Sequence, residues 1–403
     1  MADLLNRIVR GGLCQGCGAC ASALGPDRLS MKMDSSGYLR PARVSAPEAG
    51  DDVVLAKVCS GYGLDQEAAG RPYDATWGPI LSLQTGYSKD PEVRYKGSSG
   101  GVISALAIHL VETGAVDFVL QTHASTEDPI GNETSASRDR SSIIASAGSR
   151  YSPSFPLVDI ETHLAGERRF AFVGRPCDVA ALRRMALRDP RIDVQVPIML
   201  SFFCAGVPSR KGALAVLDAL GVEHSDVKEF TYRGRGWPGL ARAIRHDGTD
   251  ASMDYNSSWG AILNRHLQFR CKICPDGTGE FADVVCADAW YGKDGYPDFT
   301  EVDGRSLVVG RTERGQALIA AASARGVLAL NPLEAAELRG MQPYQYERKR
   351  AVLSRLAALL LKGRTVPRFN GLGLWGLTLR RSPLWLLRNM VGTYRRIPHG
   401  DLH

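Results

Sequence analysis

Residues 14–20 read Cys14-Gln15-Gly16-Cys17-Gly18-Ala19-Cys20, three cysteines separated by two residues each in a stretch rich in Gly and Ala. Thiolates at this spacing are typical of an iron-sulfur cube, which needs a fourth sulfur ligand. The bacterial ferredoxin run places that cysteine four residues after the third and follows it with proline. Position 24 is Leu24 here, so we expect a remote fourth ligand.

Cys59 is the one other cysteine before position 177. We predict that it completes the first cysteine set, which consists of Cys14, Cys17, Cys20 and Cys59. A buried core thiol is the alternative for Cys59, since free cysteine often packs as a small hydrophobe.

Four further cysteines make up the second cysteine set, Cys177, Cys204, Cys271 and Cys274. Taken alone, the pair Cys271-x-x-Cys274 fits half a zinc site, a redox disulfide or half a cluster site. The turn Pro275-Asp276-Gly277 disfavours a thioredoxin-like helix after the pair, and the nearest histidine, His266, is expected on the surface or in the core. Two full sets predict two [4Fe-4S] clusters and leave Cys286, in the apolar run DVVCAD, as a buried thiol.

The composition is ordinary for a soluble globular protein. A chain of 403 residues with 44% hydrophobic and 23% charged residues is long enough for two or three domains. The irregular cysteine spacing and the absence of an apolar core in MADLLNRIVRGG predict reduced thiols in a cytoplasm. Residues 343–403 hold 12 Lys and Arg against 2 acidic residues, a local charge of +10 that leaves −4 for residues 1–342. No apolar run reaches the roughly 18 residues that a membrane-spanning helix needs.

A loop of small residues, Lys96-Gly97-Ser98-Ser99-Gly100-Gly101, leads into VISALAIHLVETG, whose apolar residues fall at helical spacing, and then into the β-rich run AVDFVL. A helix N-terminus offers unpaired N–H groups and a positive dipole end, and glycines let a phosphate approach the backbone. This Gly-rich loop (residues 96–101) is therefore a candidate phosphate site. An ordinary turn with a helix cap is the alternative, because the spacing matches neither GxGxxG nor a Walker loop.

Strands alternate with helices through the middle of the chain. RRFAFV (168–173) and VPIMLSFF (196–203) predict strands, and DVAALRRMAL (178–187) and SRKGALAVLDAL (209–220) predict the helices after them. This order is typical of an α/β arrangement with parallel strands. Cys177 and Cys204 each follow a predicted strand, where ligand sites of open α/β sheets gather.

Eight segments in order carry a family resemblance, namely SSGG (98–101), SRY (149–151), GRPC (174–177), FCAGVPS (203–209), YRGRGWPG (232–239), CKICPD (271–276), ADVVCADAW (282–290) and GRSLVVGRTERG (304–315). Over roughly residues 10 to 320 the chain resembles the β subunit of the deazaflavin-reducing hydrogenase. That family also includes the formate dehydrogenase β subunit, the ferredoxin-dependent chlorophyllide 8-vinyl reductase and 7-hydroxymethyl chlorophyll a reductase.

The resemblance implies an α/β iron-sulfur flavoprotein with two [4Fe-4S] clusters and FAD. Three regions are expected. Residues 1–76 form a small ferredoxin-like [4Fe-4S] domain, and residues 77–330 form a mixed-sheet α/β flavin-binding catalytic domain with the second cluster. Residues 331–403 form a basic amphipathic helical extension.

By the same resemblance the Gly-rich loop holds the flavin phosphates, and the SRY segment lies near the cofactor. The cofactor-binding residues so implied are Lys96, Ser98, Ser99, Gly100, Gly101, Ser149, Arg150, Tyr151 and Arg175. Arg233, Trp237 and Asp288 are further carry-overs. Asp288 and Tyr151 are the candidate catalytic proton donors, with an exposed aspartate and a packed tyrosine as the alternatives.

Two positions depart from the family pattern. Ala205 stands where relatives often have histidine, and Cys286-Ala287 stands where a glycine commonly precedes the Asp-Ala-Trp segment. If these positions contact the substrate, the substrate differs from the deazaflavin of the hydrogenase.

A cluster carries one electron and a flavin can deliver two, so the combination predicts a reductase that collects single electrons. The first hypothesis is a stand-alone oxidoreductase that takes electrons from a donor such as reduced ferredoxin and reduces a pigment-like or sugar-linked small molecule. The second is an electron-transfer subunit of a larger hydrogenase or dehydrogenase that reduces a deazaflavin coenzyme. The third is a non-redox protein with structural metal. A homo-oligomer is compatible with each.

The basic C-terminal region supports several interpretations. ERKRAVLSRLAALLLKGR (347–364) predicts a basic amphipathic helix, and residues 368–396 interleave Trp, Leu and Arg, as segments on anionic membrane surfaces do. A helical cap on the domain and a docking surface for an acidic ferredoxin are the alternatives. No nucleic-acid partner is expected, because the basic residues accompany aliphatic stripes. We expect a cytoplasmic protein, with a peripheral position on the inner face of the membrane left open.

Overall fold

Short strands and helices alternate along most of the chain. A computed structural model describes residues 3–67, 70–293 and 296–397. Its strands are β1 (Leu29–Met33), β2 (Leu39–Arg43), β3 (Gly63–Asp65), β4 (Tyr73–Asp74), β5 (Gly78–Pro79), β6 (Ser82–Ser88), β7 (Phe118–Ala124), β8 (Asn132–Ser137), β9 (Phe170–Val173), β10 (Ile198–Phe202), β11 (Val227–Thr231), β12 (Ala241–Arg245), β13 (Asp250–Met253), β14 (Val284–Asp288), β15 (Gly292–Lys293), β16 (Tyr296–Pro297), β17 (Ser306–Gly310), β18 (Leu328–Pro332) and β19 (Arg368–Asn370).

The α-helices connect these strands and cover them. They are α1 (Leu4–Arg10), α2 (Ala19–Leu24), α3 (Asp51–Val58), α4 (Pro91–Lys96), α5 (Val102–Glu112), α6 (Arg140–Ala145), α7 (Ile160–Ala165), α8 (Pro176–Ala186), α9 (Arg191–Gln195), α10 (Arg210–Leu220), α11 (Phe269–Lys272), α12 (Glu313–Ala324), α13 (Leu338–Met341), α14 (Pro343–Arg350), α15 (Val352–Leu361), α16 (Leu374–Leu379) and α17 (Pro383–Arg396). In the described part of the chain, no helix combines the length and the apolar character needed to span a bilayer.

Eight strands form one mixed sheet in the order β18-β6-β17-β14-β10-β9-β7-β8. The four central strands β14, β10, β9 and β7 are parallel, and the outer strands pair antiparallel. The strands predicted at 168–173 and 196–203 are the neighbours β9 and β10, and the predicted helices after them are α8 and α10. The mixed α/β architecture is therefore confirmed.

Helices cover both faces of this sheet, and the side chains of β14 show why. Successive residues of a strand point to opposite faces. Val285 and Ala287 pack in the core that contains α7 and α8, whereas Val284 and Cys286 pack in the core that contains α5 and α12. Cys286 is thus a buried core thiol, as predicted.

The two ends of the chain share a third core. Leu5 and Ile8 of α1 and Leu55 of α3 pack in one cluster with Leu356 and Leu359 of α15. β19 also pairs parallel with β3. The C-terminal region is therefore packed onto the N-terminal region, and the proposed division of the chain at residues 76 and 330 remains a prediction.

The single helix predicted over residues 347–364 is instead two helices, which meet at Ala351. α14 buries the polar side chains of Gln345, Arg348 and Lys349, whereas α15 buries apolar side chains. The helices face different neighbours, which accounts for the break. A fourth, smaller core joins α10 to the separate sheet β11-β12-β13.

Candidate functional site

The carboxyl ends of the parallel strands lie at one edge of the large sheet. Cys177 follows β9, Cys204 follows β10 and Asp288 ends β14. β6 runs in the same direction, because β17 is antiparallel to both β14 and β6, and it leads through α4 to the Gly-rich loop. The amide of Ser88, at the end of β6, donates to the carbonyl oxygen of Gly100 at 2.7 Å. Most of the predicted site residues therefore share this edge.

The first cysteine set is held by three short helices. Cys14 and Cys17 lie between α1 and α2, Cys20 lies in the first turn of α2, and Cys59 directly follows α3. Gly16 has a φ of +76°, and a Cβ there would lie 2.8 Å from the carbonyl oxygen of Leu39. A glycine is thus required where the loop turns between its cysteines.

The four thiols of the first set lie in one electrostatic neighbourhood. Burial, together with the neighbouring Cys14, raises the pKa of Cys59 to about 11. Burial also raises the pKa of Cys20, and Cys14, Cys17 and Cys59 raise it further. The structure therefore brings Cys59 to the three consecutive cysteines.

The second cysteine set is assembled from three segments. Cys177 lies in the first turn of α8, Cys204 follows β10, and Cys271 and Cys274 lie in and after α11. Burial and the neighbouring Cys271 raise the pKa of Cys204 to about 12, and Cys274 contributes. Burial likewise raises the pKa of Cys177, with Cys204 and Cys271 among the further causes.

Both thiol sets have the chemistry that an iron-sulfur cluster needs. Burial disfavours a free thiolate, whereas a bound cation deprotonates a coordinating thiol outright. Arg175 Nη1 and Arg270 Nη1 are buried N–H donors without a hydrogen-bond partner in the described residues. The charge of Arg175 acts on Cys177 and Cys204, and that of Arg270 acts on Cys59. Because buried donors are normally paired, and cluster sulfurs accept hydrogen bonds, the residues present fit such a group.

The geometry offers no site for a single metal ion. Within residues 3–67, 70–293 and 296–397, no three His, Cys, Asp or Glu side chains are placed to hold one ion. Cluster thiolates bind different irons of the cube and need not converge on one point.

The two cysteine sets adjoin through Ser60 and Arg270. The Ser60 hydroxyl donates to Gln15 Oε1 at 2.7 Å and to the carbonyl oxygen of Cys177 at 2.9 Å. Arg270, one residue before Cys271, donates to the carbonyl oxygens of Ser60 and Gly61 at 3.2 and 3.3 Å. The segments that carry the two cysteine sets are thus joined by hydrogen bonds from Ser60 and Arg270.

The Gly-rich loop is packed closely against the end of the sheet. The amide of Gly100 donates to Ser306 Oγ at 2.9 Å, and a Cβ on Gly100 would lie 2.6 Å from the carbonyl oxygen of Gly86. Ser99 Oγ donates to the carbonyl oxygen of Arg305 at 2.9 Å. Gly101 has a φ of +73° where α5 begins. These contacts hold the Gly-rich loop against the end of the sheet, directly before α5.

The SRY segment lies beside this loop. Ser149 Oγ donates to Ser98 Oγ at 2.7 Å. Arg150 donates to Asn132 Oδ1 and to three carbonyl oxygens, including that of Phe230 at 2.8 Å. Its guanidinium thus ties loops together. Lys96 pairs with Glu92 at 3.0 Å, and Arg175 pairs with Asp178 at 2.7 Å beside the second cysteine set.

A cavity of about 160 Å³ opens next to these residues. It is lined by Lys96, Ser149, Arg150, Tyr232 and Arg233, among others. Pockets for drug-sized ligands are about 300–1,000 Å³. The cavity is smaller than such a pocket, and Ser98, Ser99, Gly100 and Gly101 are not part of its lining.

The candidate catalytic residues Asp288 and Tyr151 both lie near Arg233. Asp288 accepts hydrogen bonds from Arg233 Nη1 and Nη2 at 2.8 and 2.6 Å and from Trp237 Nε1 at 2.7 Å. Tyr151 packs on Trp259 with ring centroids 4.6 Å apart and lies within electrostatic range of Arg233. The Asp288 carboxylate is thus occupied by donors.

Aromatic rings surround this ion pair. Trp237 stacks on Trp290 with centroids 4.7 Å apart, and the Arg233 guanidinium lies 4.9 Å from the Tyr255 ring centroid and 5.1 Å from the Trp290 ring centroid. Trp290 ends the ADVVCADAW segment (282–290) but was given no role there, and Tyr255 lies outside the eight segments of the resemblance, so their part in the site was not predicted.

Two buried contacts to the cysteine sets were also missed. Arg270 precedes Cys271, but its charge gave no reason to expect contact with the first set. Gln345 and Arg348 of α14 donate to the carbonyl oxygen of Cys204 at 3.1 and 2.8 Å. The excess of basic residues after Pro343 was the one available signal for α14.

Several known proteins are similar in sequence to this chain over most of its length. Two profiles of the coenzyme F420 hydrogenase/dehydrogenase beta subunit match it, that of the N-terminal part over residues 83–160 and that of the C-terminal part over residues 167–336. The coenzyme F420 hydrogenase subunit beta of Methanosarcina barkeri is 24% identical over 270 residues, which are 65% of this chain and 85% of that protein. The coenzyme F420-dependent sulfite reductase of Methanocaldococcus jannaschii is 24% identical over 77% of this chain, but the match spans only 46% of that longer protein.

A solved structure has the same fold. A chain of the F420-reducing [NiFe] hydrogenase complex from Methanosarcina barkeri superposes with a TM-score of 0.54 and 20% identity, covering 70% of this chain and 96% of that one. The profiles leave residues 1–82, 161–166 and 337–403 unmatched. Together they match more than half of the chain, which therefore belongs to the coenzyme F420 hydrogenase/dehydrogenase beta subunit family.

Proposed function

We propose that this chain is an electron-transfer subunit of an oxidoreductase, which exchanges electrons with coenzyme F420 through two [4Fe-4S] clusters and FAD. The observation that carries the proposal is a pair of hydrogen bonds between the segments of the two cysteine sets, from Ser60 to the carbonyl oxygen of Cys177 and from Arg270 to the carbonyl oxygen of Ser60. The relatives are F420-linked oxidoreductases or their subunits, which favours this hypothesis over the stand-alone reductase.

Each cysteine set would hold one cluster. The first set is Cys14, Cys17, Cys20 and Cys59, and the second is Cys177, Cys204, Cys271 and Cys274. Iron-sulfur clusters carry single electrons and a flavin two, so together they supply the change between one-electron and two-electron transfer. Hydrogen bonds of Ser60 and Arg270 link the segments that carry the two sets.

The flavin would lie along the Gly-rich loop. The N-terminus of the 11-residue helix α5 suits phosphate, and Ser98 and Ser149 offer hydroxyls beside it. Lys96, Ser99, Gly100, Gly101, Arg150, Tyr151 and Arg175 stay proposed cofactor contacts. Since Arg150 is engaged with backbone carbonyls, its proposed part is to hold the loop rather than to bind phosphate.

The proton for the reduced product is proposed to come from Tyr151. Asp288 was the other candidate, but its carboxylate is occupied by hydrogen bonds from Arg233 and Trp237. We therefore propose that Asp288 holds Arg233 in place beside Tyr151.

A stand-alone reductase fed by ferredoxin is the second candidate. The observation that favours it is the C-terminal region, which lies outside the family match and is integrated into the fold through α14, α15 and β19. A pigment-like or sugar-linked substrate belongs to this candidate, and a homo-oligomer is compatible with both.

A peripheral position on an anionic membrane is proposed for α17. Its exposed face carries Leu384, Leu387, Val391 and Tyr394, at spacings of three and four residues. Arg388 and Arg395 are exposed on the same helix. A helix with an apolar face flanked by arginines suits the surface of an anionic bilayer.

A transfer assay tests the main proposal against the second candidate. The protein is purified without oxygen, reduced with a limiting amount of dithionite and mixed with oxidised F420. We expect F420 to re-oxidise the protein and become reduced, while a flavin-stripped sample leaves F420 oxidised. If the flavin stays reduced with F420, and the protein oxidises reduced ferredoxin only when an organic substrate is added, the subunit proposal is wrong.

A further inference from the structure

The helix α14 covers the loop that carries Cys204. Arg348 Nη2 donates to the carbonyl oxygen of Cys204 at 2.8 Å, and Arg348 Nη1 donates to that of Ala205 at 3.1 Å. Gln345 Nε2 donates to the same Cys204 oxygen at 3.1 Å. Gln345 and Arg348 are each 4% exposed, so the helix closes over this loop.

The C-terminal helices also contact the loop of Cys271 and Cys274. The Arg348 guanidinium rests on Gly277, where a Cβ would lie only 1.6 Å from Nη2 and would displace the end of that side chain. The amide of Cys204 donates to the Gly277 carbonyl oxygen at 2.9 Å, and Arg355 Nη1 of α15 donates to the carbonyl oxygen of Lys272 at 2.6 Å. Arg348 therefore lies between two ligand loops of the second cysteine set.

The charge of Arg348 faces the thiols and has no carboxylate partner. Within the described residues, no Asp or Glu lies within ion-pair distance of Arg348. The neighbouring charged residues of α14 have partners of their own, since Lys349 pairs with Glu280 and Glu347 pairs with Arg381. Burial lowers the pKa of Arg348, but Tyr344 and the thiols of Cys274 and Cys204 raise it above its ordinary value. A buried guanidinium without a counter-charge is costly, and four thiolates around iron would supply that charge.

α14 lies outside the part of the chain that the family profiles cover. The match ends at residue 336, and α14 begins at Pro343. Arg348 therefore lies in a part of the chain that the family profiles do not match.

We propose that Arg348 is a positioning residue that raises the reduction potential of the second cluster, with α14 as its cover against water; this rests on the proposed function. The reduced cluster carries one more negative charge than the oxidised one. A fixed positive charge beside it favours the state that has gained the electron, and hydrogen bonding and solvent exposure act on the same potential.

The test uses the full-length protein with its clusters. Arg348→Met removes the charge at similar length, Arg348→Lys keeps it, and Arg380→Met removes an exposed positive charge from the same region. Dithionite titration followed by electron paramagnetic resonance gives each cluster's potential. The second cluster is identified as the signal that Cys59→Ser leaves in place.

We expect Arg348→Met to reduce the ratio of reduced to oxidised second cluster at least about tenfold at a fixed potential, a shift of about 59 mV for one electron. Arg348→Lys should stay within about threefold of the wild type, and Arg380→Met should match the wild type. The first cluster should be unaffected in all three variants.

Each other outcome has a defined meaning. An unchanged potential in Arg348→Met with full iron content, or an equal shift in Arg380→Met, would overturn the proposal. If Arg348→Met loses the second cluster but Arg348→Lys keeps it at the wild-type potential, the charge is required and the proposal stands. If both lose it, Arg348 is only structural and the proposal fails. A wild type without clusters would refute the proposed function itself.

Discussion

Ser60 occupies the contact between two groups of thiols that lie more than a hundred residues apart in sequence. It directly follows Cys59, and its hydroxyl reaches the backbone oxygen of Cys177. Arg270 makes the reverse contact, from the segment of Cys271 to the backbone of Ser60. Residues next to the proposed ligands therefore join the two segments that carry them.

Replacing Cys59 by serine should remove one cluster and leave the other. A [4Fe-4S] cube needs four ligands, and serine does not replace the thiolate of the fourth. Iron per chain should fall from about eight to about four, with the flavin retained. Iron and sulfide analysis after anaerobic purification measures this.

Cys286→Ser is the matched control. Cys286 is buried in β14, and its side chain packs in the core that contains α5 and α12, in which no other cysteine takes part. It should retain all the iron. Full iron in Cys59→Ser, or an equal loss in both variants, would show that Cys59 is not a ligand.

Asp288→Ala should destabilise the protein, because it leaves Arg233 buried without its carboxylate. The Arg233 side chain is 4% exposed, and breaking such a pair costs about 3 kcal/mol. The measurement is the urea midpoint under anaerobic conditions, with the slope unchanged. Asp303→Ala, which removes an exposed partner of Arg94, should cost less than about 1 kcal/mol. Equal losses in the two variants would contradict the importance of the Arg233 pair.

The cysteine spacing led to the prediction of the first set, because three of its four cysteines are local in sequence. Cys59 and the second set followed from counting the remaining cysteines, and the structure places each group together. Arg270 and Arg348 could not be found this way, since each meets the thiols through tertiary packing. Sequence alone also could not show that Asp288 is occupied by Arg233 and Trp237.

The Gly-rich loop is the element on which the proposed flavin binding depends. Close backbone contacts require glycine at position 100. A Cβ on Gly100 would lie 2.6 Å from the Gly86 carbonyl oxygen and 2.8 Å from the Ser306 amide nitrogen. The loop, helix and strand were predicted in the right order. The contact with β6 and β17 could not be read from the sequence, because those strands come from distant segments.

Gly100→Ala should displace the loop and lower the bound flavin at least about tenfold, since two backbone atoms cannot both move aside. Flavin absorbance per chain after desalting gives the result. Gly114→Ala is the control at the other end of α5, because a Cβ there meets no atom within 4 Å although φ is +68°. It should retain flavin, and equal retention in both variants would remove the loop from the proposed site.

The exposed face of α17 should bind vesicles that contain an anionic lipid. The double variant Leu384→Glu/Leu387→Glu should reduce co-sedimentation with phosphatidylserine vesicles several-fold, since it removes apolar contact and adds negative charge. Binding should also weaken at high salt. Neutral phosphatidylcholine vesicles should bind little of either protein.

Leu187→Glu is the control for that variant, because Leu187 is 84% exposed at the end of α8, away from the C-terminal region. Its binding should equal that of the wild type. If the wild type does not sediment with anionic vesicles, α17 does not bind membranes. An added acidic ferredoxin that binds α17 instead would identify a protein partner.

At the scale of the whole molecule, the two ends of the chain lie outside the family match and pack on each other. A helical cap on the domain was one of the interpretations of the C-terminal region. α15 agrees with this interpretation, because its residues Leu356 and Leu359 pack in the core of the N-terminal region. α17 keeps an exposed apolar face. The sequence predicted parallel strands with helices, but the shared core of the two ends depends on packing that no local pattern records.

The central claim is that one chain stores electrons in two clusters and a flavin. A reductive titration with dithionite, followed by optical absorbance in the absence of oxygen, measures this most directly. We predict uptake of about four electrons per chain, one for each cluster and two for the flavin, with all of them recoverable by oxidised F420. Uptake of only about two electrons by a protein with full flavin content would contradict the claim.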